Sequence, residues 1–202
     1  MSSMISQSLL PEFDMEMANT RKLLALVPET NGDFRPHPKS MTLSRLAGHV
    51  AEMPMWAAMT LGQDELDMRP NGVRVADAYT FTTQAAALAM FDENLAKARA
   101  MLVDISDADM MRTWSLKDNG KTLMAMPKVA VVRGFVMNHM IHHRAQLGVY
   151  LRMNDVPLPG MYGPSADNPG IVARTTYGLL IDSDAVLREH DGHRGDSVVI
   201  KE

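Results

Sequence analysis

Four long stretches of the chain repeat apolar residues at three- and four-residue steps, the spacing that gathers them on one face of an α-helix. The first runs from about Ser6 to Val27, with Leu10, Phe13, Met17 and Leu24 among its apolar positions. Pro28 and the stretch PETNGDFRPHPKS then read as a loop. The second starts at Thr42, whose short side-chain oxygen suits an N-cap, and ends near Gly62. Its apolar face is Leu43, Leu46, Val50, Met53 and Ala57. Pro54 lies inside it and predicts a kink or a local irregularity, because proline cannot donate to the preceding turn. The third runs from about Thr82 to Val103, capped by Thr82 or Thr83, with Ala86, Met90, Leu95 and Leu102 among its apolar positions. The fourth and longest spans about Lys128 to Met153 and stops before Pro157 and Pro159.

The segments between these helices are shorter signals. Residues 63–79 are polar, contain Pro70 and Gly72, and read as a connection. In TWSLKDNGKTLMAM, Asn119-Gly120 sits between two short apolar-alternating runs, which predicts a two-stranded hairpin. Beyond Gly160 the chain turns to MYGPSADNPG and then to a mixed tail ending in polar residues. The expected fold is all-α: an antiparallel four-helix bundle over residues 1–168, with a small hairpin between helices three and four. A C-terminal extension of unknown structure covers 169–202.

Composition narrows this picture. Apolar residues make up 46% and charged residues 22%, which fits a globular protein with a packed core. The net charge of −4, without any block of like charge, argues against a nucleic-acid or anionic-membrane partner. There is no cysteine, so disulfides, cysteine-ligated metal clusters and a cysteine nucleophile are excluded. The 19 methionines are scattered, which indicates a softly packed core rather than a thioether metal site. No run of about 18 apolar residues predicts a membrane span. MSSMISQSLLPEF has no basic n-region and reads as no signal peptide, so a cytoplasmic protein is expected.

The candidate chemistry lies in histidine. In VVRGFVMNHMIHHRAQLGVYLR, His139 and His143 are four residues apart, so they differ by only about 40° around the helix. Their stripe is otherwise apolar (Val132, Phe135, Val136, Leu147, Tyr150), which points both rings into the interior. His142 lies about 100° away and points outward or toward a neighbouring helix. This helix alone leaves open a shared metal ion or a pair of hydrogen-bonded core histidines. His49, beside the Leu46, Val50 and Met53 face of helix two, adds a third inward imidazole. Three imidazoles from two helices of one bundle favour a metal site. The donor set suits Zn²⁺, Ni²⁺, Fe²⁺ or Cu²⁺ and does not suit Mg²⁺ or Ca²⁺. Three protein ligands leave positions open, as in catalytic sites. Glu52, one turn after His49, reads as a surface charge first, with a fourth ligand or an acceptor for an imidazole N–H as alternatives. His37 lies between prolines in a loop, and His190 and His193 lie in the tail.

These pieces match a known family. PHPKSMTLSRLAGHVAE at Pro36–Glu52, NHMIHHRAQLGVYLR at Asn138–Arg152 and VPLPGMYGPSAD at Val156–Asp167 together resemble the DinB superfamily of YfiT-like metal-dependent bundles. The resemblance covers about Ser6 to Asn168. It implies a homodimeric four-helix bundle with a metal held by one histidine of helix two and two of helix four, which fall on His49, His139 and His143. Ala145 departs from the glycine usual in relatives but removes no ligand.

Some relatives transfer low-molecular-weight thiols to electrophiles. The first expectation is therefore a thiol-dependent S-transferase acting on a small-molecule substrate, with Zn²⁺ or Ni²⁺ ahead of Fe²⁺ and a low-molecular-weight thiol as cofactor. Arg144 and Arg152 are candidates for binding a thiol carboxylate, although surface solvation or an ion pair is the preferred reading of both. A metal-dependent hydrolase using Glu52 as base, and a non-catalytic metal-binding stress-response protein, are the alternatives.

Overall fold

The computed structural model describes residues 3–168; the predicted extension at 169–202 lies outside the described residues. The chain divides into two compact units, Met1–Val156 and Pro157–Glu202.

The first unit is mostly helical. Helix α1 spans Met4–Leu24, α2 Leu43–Gly62 and α3 Gln84–Asp104. A short helix, α4, covers Asp107–Met110. The last long run is continuous but composite: α5 at Lys128–Ala130, a π-helical segment at Val131–Asn138, and α6 at His139–Met153. Each start obeys the chemistry of orphan N–H groups. Thr42 accepts from Arg45 N–H and Thr83 from Ala86 N–H. The first amides of α1 are met from outside, since the Asp107 carboxylate accepts from the Met4 and Ile5 N–H groups and from the Ser3 hydroxyl. Helix α2 continues through Pro54 to Gly62.

Helix α2 packs against α3 and α6, and α1 packs against α3 and α6. The interior is lined by Phe13, Met17 and Leu24 of α1 and by Leu46, Val50, Met53 and Ala57 of α2. Phe91 and Leu102 of α3, with Val132, Val136, Met140 and Leu147 of the last run, close it. In α3 the buried stripe passes through Ala87, Phe91, Ala98 and Leu102, while Ala86 is exposed. Alanines at 85, 86, 87 and 89 make every face of that turn apolar, so the pattern does not fix its phase.

The hairpin forms as predicted, from β2 (Thr113–Asp118) and β3 (Lys121–Pro127). Asn119 and Gly120 both take positive φ, 51° and 77°, the backbone that a two-residue primed turn requires. A third strand, β1 (Glu65–Asp67), which the sequence did not signal, pairs parallel with β2 inside the connection at 63–79. Asp67 secures it by accepting from the N–H groups of Asn119 and Gly120 at 2.9 and 2.7 Å, capping the turn of the neighbouring hairpin. Trp114 and Leu116 then pack with Val131, Trp56, Leu66 and Phe135, which seats the sheet on α2 and the π segment.

Arg144 is buried. Its Nη2 pairs with Glu16 Oε2 at 2.6 Å, with both side chains 4% exposed. Its Nη1 donates to the Glu16 carbonyl and to Thr20 Oγ1. Of the two preferred readings of Arg144, the ion pair is realised, inside the protein rather than on its surface. Among the described residues no helix is long and apolar enough to cross a membrane. In the second unit, Leu158 N–H donates to Asp167 and Ser165 Oγ donates to the Leu158 carbonyl, closing a tight loop.

Breaking the buried ion pair from one side leaves an uncompensated charge in the interior. Arg144→Met is expected to cost about 3–5 kcal/mol, read as a lowered urea midpoint at pH 7. The double variant Glu16→Leu/Arg144→Met is expected to recover most of that loss. An unchanged midpoint in the single variant would show that the pair contributes no stability.

Candidate metal centre

Helix α2 and helix α6 bring His49, His139 and His143 together, and one ring nitrogen of each lies within 4.8 Å of the others. Nε2 of His139 stands between its neighbours, 3.4 Å from His49 Nε2 and 2.9 Å from His143 Nε2. Ring centroids are 4.6–5.1 Å apart. Bonds of about 2.0–2.1 Å at tetrahedral angles hold two ligating nitrogens about 3.3 Å apart, so these separations fit a single transition-metal ion.

The far sides of the rings are also arranged. His49 Nδ1 lies 2.8 Å from Glu52 Oε1, and His143 Nδ1 lies 2.8 Å from Gln146 Oε1. With each oxygen accepting an Nδ1 proton, a neutral ring turns its Nε2 lone pair inward, the tautomer that metal binding needs. The Nε2–H of a neutral His139 can satisfy only one of those two lone pairs. His139 Nδ1 is buried and meets no acceptor in hydrogen-bond geometry, although the Phe135 carbonyl four residues earlier favours its protonated form. The donor set and this shortage of protons both fit a shared cation.

Burial sets the protonation. Desolvation, helped by the nearby imidazoles and opposed by the Gln146 oxygen, pushes His143 down to about 4. Desolvation also lowers His139, with His49 adding to the effect. Both rings are therefore neutral at pH 7 and ready to donate lone pairs.

Glu52 is not a surface charge: it is 8% exposed. Burial works to raise its pKa, but the His49 N–H, the Tyr79 N–H at 3.1 Å and the Arg45 guanidinium at 3.2 Å outweigh it and hold the carboxylate ionised. Of its three sequence readings, the acceptor for an imidazole N–H is the one the geometry realises. The signal lay partly in Gly48. A Cβ there would sit 2.4 Å from the Tyr79 carbonyl oxygen, so only glycine lets segment 79–81 close onto α2. Phe81 N–H to the Ser44 carbonyl and Arg45 to the Tyr79 carbonyl complete that closure.

The remaining histidines stay apart. His142 is exposed beside His143, His37 is exposed in its loop, and His190 and His193 lie outside the described residues. Ala145 is exposed on α6, so the departure from glycine does not touch the cluster.

On one side the cluster meets a cavity of about 640 Å³ to which His49 and Glu52 contribute. Its apolar wall is Met55, Trp56 and Met59 of α2 with Leu66 and Met68 of the β1 region. Trp56 meets Phe135 edge-on at 5.8 Å, and Phe135 in turn meets the His139 ring at 5.6 Å.

A mostly helical protein with a small sheet and three converging histidines is the class these features define. A family model described as the DinB family matches residues 1–171, and the chain belongs to that family. Its fold is shared with a DinB-like protein from Bacillus cereus ATCC 10987 at a TM-score of 0.60 and 20% identity, covering 77% of this chain and 97% of that one. A DinB-like protein from Bacillus subtilis (YjoA) aligns at a TM-score of 0.55 and 16% identity, covering 75% and 96%. No curated protein matches the chain in sequence.

The depressed histidines give the metal-free protein a definite acid response. Between the ordinary histidine pKa near 6.5 and the folded value of His143 near 4, the unfolded chain binds protons that the folded chain refuses. Stability in EDTA is thus expected to be full above about pH 6.5 and to fall as pH drops toward 4. His143→Gln should flatten that window in urea titrations; an identical pH profile in the variant would refute the assignment.

Proposed function

We propose that the chain is an antiparallel four-helix bundle in which His49, His139 and His143 hold one divalent transition metal, Zn²⁺ or Ni²⁺ before Fe²⁺. We further propose that it acts as a thiol-dependent S-transferase on a small molecule, as a cytoplasmic homodimer. The observation that carries the metal reading is the convergence of three Nε2 atoms, two of them with Nδ1 already committed to Glu52 and Gln146.

A three-ligand site leaves coordination positions open. When bound, such a metal supplies Lewis acidity that lowers the pKa of a thiol beside it. The protein's own residues supply the rest. Glu52 holds the His49 ring in orientation, and Trp56, Met55 and Met59 offer a soft apolar wall to the substrate body. The chain has no cysteine, so the reacting sulfur comes from outside. Arg144 takes no part in binding it, because its guanidinium is spent on Glu16 and Thr20.

The hydrolase reading is weaker for a specific reason. It needs a general base, and both oxygens of Glu52 are already engaged by His49, Arg45 and Tyr79. The non-catalytic reading leaves a sizeable cavity beside the histidines without a use.

Metal content of tag-free protein, measured by mass spectrometry, tests the site. About one Zn or Ni per chain is expected, lost in His49→Ala and His143→Ala. Glu52→Gln should bind metal about 10–100-fold more weakly. Loss of a model electrophile should then require both metal and an added thiol. Protein that stays metal-free after incubation with Zn²⁺ and Ni²⁺ would reduce the triad to packed core histidines.

A further inference from the structure

The cavity beside His49 carries charge as well as apolar surface, and its charges are not all committed. Arg45, Arg69 and Arg74 line it against Glu52, Asp77 and Asp118, so its formal charge is balanced. Arg45 is paired with Glu52, and Arg69 forms a two-pronged pair with Asp118. Arg74 and Asp77 remain. Neither makes a side-chain hydrogen bond or ion pair to any described residue, although they are three apart in one exposed loop that bends at Val75.

We propose that the cavity binds a small zwitterion: an apolar, polarisable body carrying one carboxylate for Arg74 and one ammonium for Asp77. The argument is one of elimination by charge. A purely apolar ligand leaves both side chains to solvent and gains nothing from either. A simple anion satisfies Arg74 but brings a second negative charge up to Asp77, and a simple cation does the reverse. A molecule with both groups meets both, in a lining whose net charge is zero. Guanidinium suits the planar, two-oxygen geometry of a carboxylate, and aspartate accepts from an ammonium. The body then lies along Met55, Trp56, Met59 and Met68, with its far end toward His49. Thioether side chains and an indole ring favour a sulfur-containing or aromatic chain there. The anchoring loop joins the site directly, because its continuation at Tyr79 donates to Glu52, which orients His49.

This inference rests on the proposed site for the direction in which the ligand points, but not for the recognition of its charged end. A matched series tests it: 2-amino-4-phenylbutanoic acid, 4-phenylbutanoic acid without the amine, and 3-phenylpropylamine without the carboxylate. Affinities are read by isothermal titration calorimetry and by quenching of tryptophan fluorescence, with Zn²⁺ and again in EDTA. The amino acid is expected to bind about two- to fivefold more tightly than either relative, the scale of one solvent-accessible ion pair. Arg74→Ala should erase its advantage over the amine, and Asp77→Ala its advantage over the acid. Both positions are exposed in a loop, so circular dichroism should find these variants folded. Equal affinity across the series, no binding by any member, or unchanged discrimination in both variants would overturn the proposal. Discrimination should persist in EDTA; protein that keeps it yet takes up neither Zn²⁺ nor Ni²⁺ when either is supplied would sink the metal reading and leave this one standing.

Discussion

Three imidazoles turned toward one another at the margin of the core are the constraint from which much of this structure follows. Each ring has a donor and an acceptor to satisfy, and three rings that turn Nε2 toward one another must satisfy Nδ1 elsewhere. For His49 that need is met by Glu52, which then becomes a buried carboxylate with needs of its own. Arg45 and the Tyr79 N–H answer them. Tyr79 reaches Glu52 only because segment 79–81 lies flat on α2, and it lies flat only because position 48 has no side chain. One proton on His49 is thus tied to a glycine one residue earlier and a tyrosine thirty positions later. Substitutions at Gly48 or Arg45 act on the cluster without touching it.

A second constraint holds the other half of the site. His143 and Arg144 are adjacent on α6, so their side chains leave the helix about 100° apart. One turns to the cluster and the other to α1, where Glu16 and Thr20 take the guanidinium. A helix gripped on two faces cannot rotate to relax either contact. The π-helical segment just before His139 adds to this. Its wider turns shift the phase of the apolar stripe between Val132 and Met140, so both the β-sheet side and the helix side remain buried. A uniform helix from Lys128 onward would bring its residues round at a different angle.

What the sequence disclosed and what it hid divide along the range of the interactions. The i, i+4 pair His139/His143, the caps Thr42 and Thr83, and the Asn119-Gly120 turn are local rules, and each is legible from a few neighbouring residues. His49 is legible because it borders a clean apolar stripe. Glu52 reads as a surface charge because the partner that licenses its burial lies 27 residues away. Arg144 reads as surface or as one half of an unlocated pair for the same reason, with Glu16 at a separation of 128. Strand β1 is three residues long and pairs in parallel across fifty positions, which leaves no alternation to see. A π turn has no residue signature of its own, and an alanine-rich α3 has no unique apolar face.

The small sheet decides where the site opens. Had residues 63–79 been a plain connection, nothing would fix Leu66 and Met68 opposite Trp56. Strand β1 is held in register with β2, and Asp67 caps the hairpin turn, so the wall is attached to the most regular part of the non-helical chain. The same sheet packs through Trp114 and Leu116 onto Val131 and Phe135, directly before the two histidines of the last run. Helices α2 and α6 therefore set the histidines, while the sheet sets the space beside them. Residues 74–78 line that space without contributing a ligand to the histidine cluster, so their side chains border the cavity while α2 and α6 hold the rings.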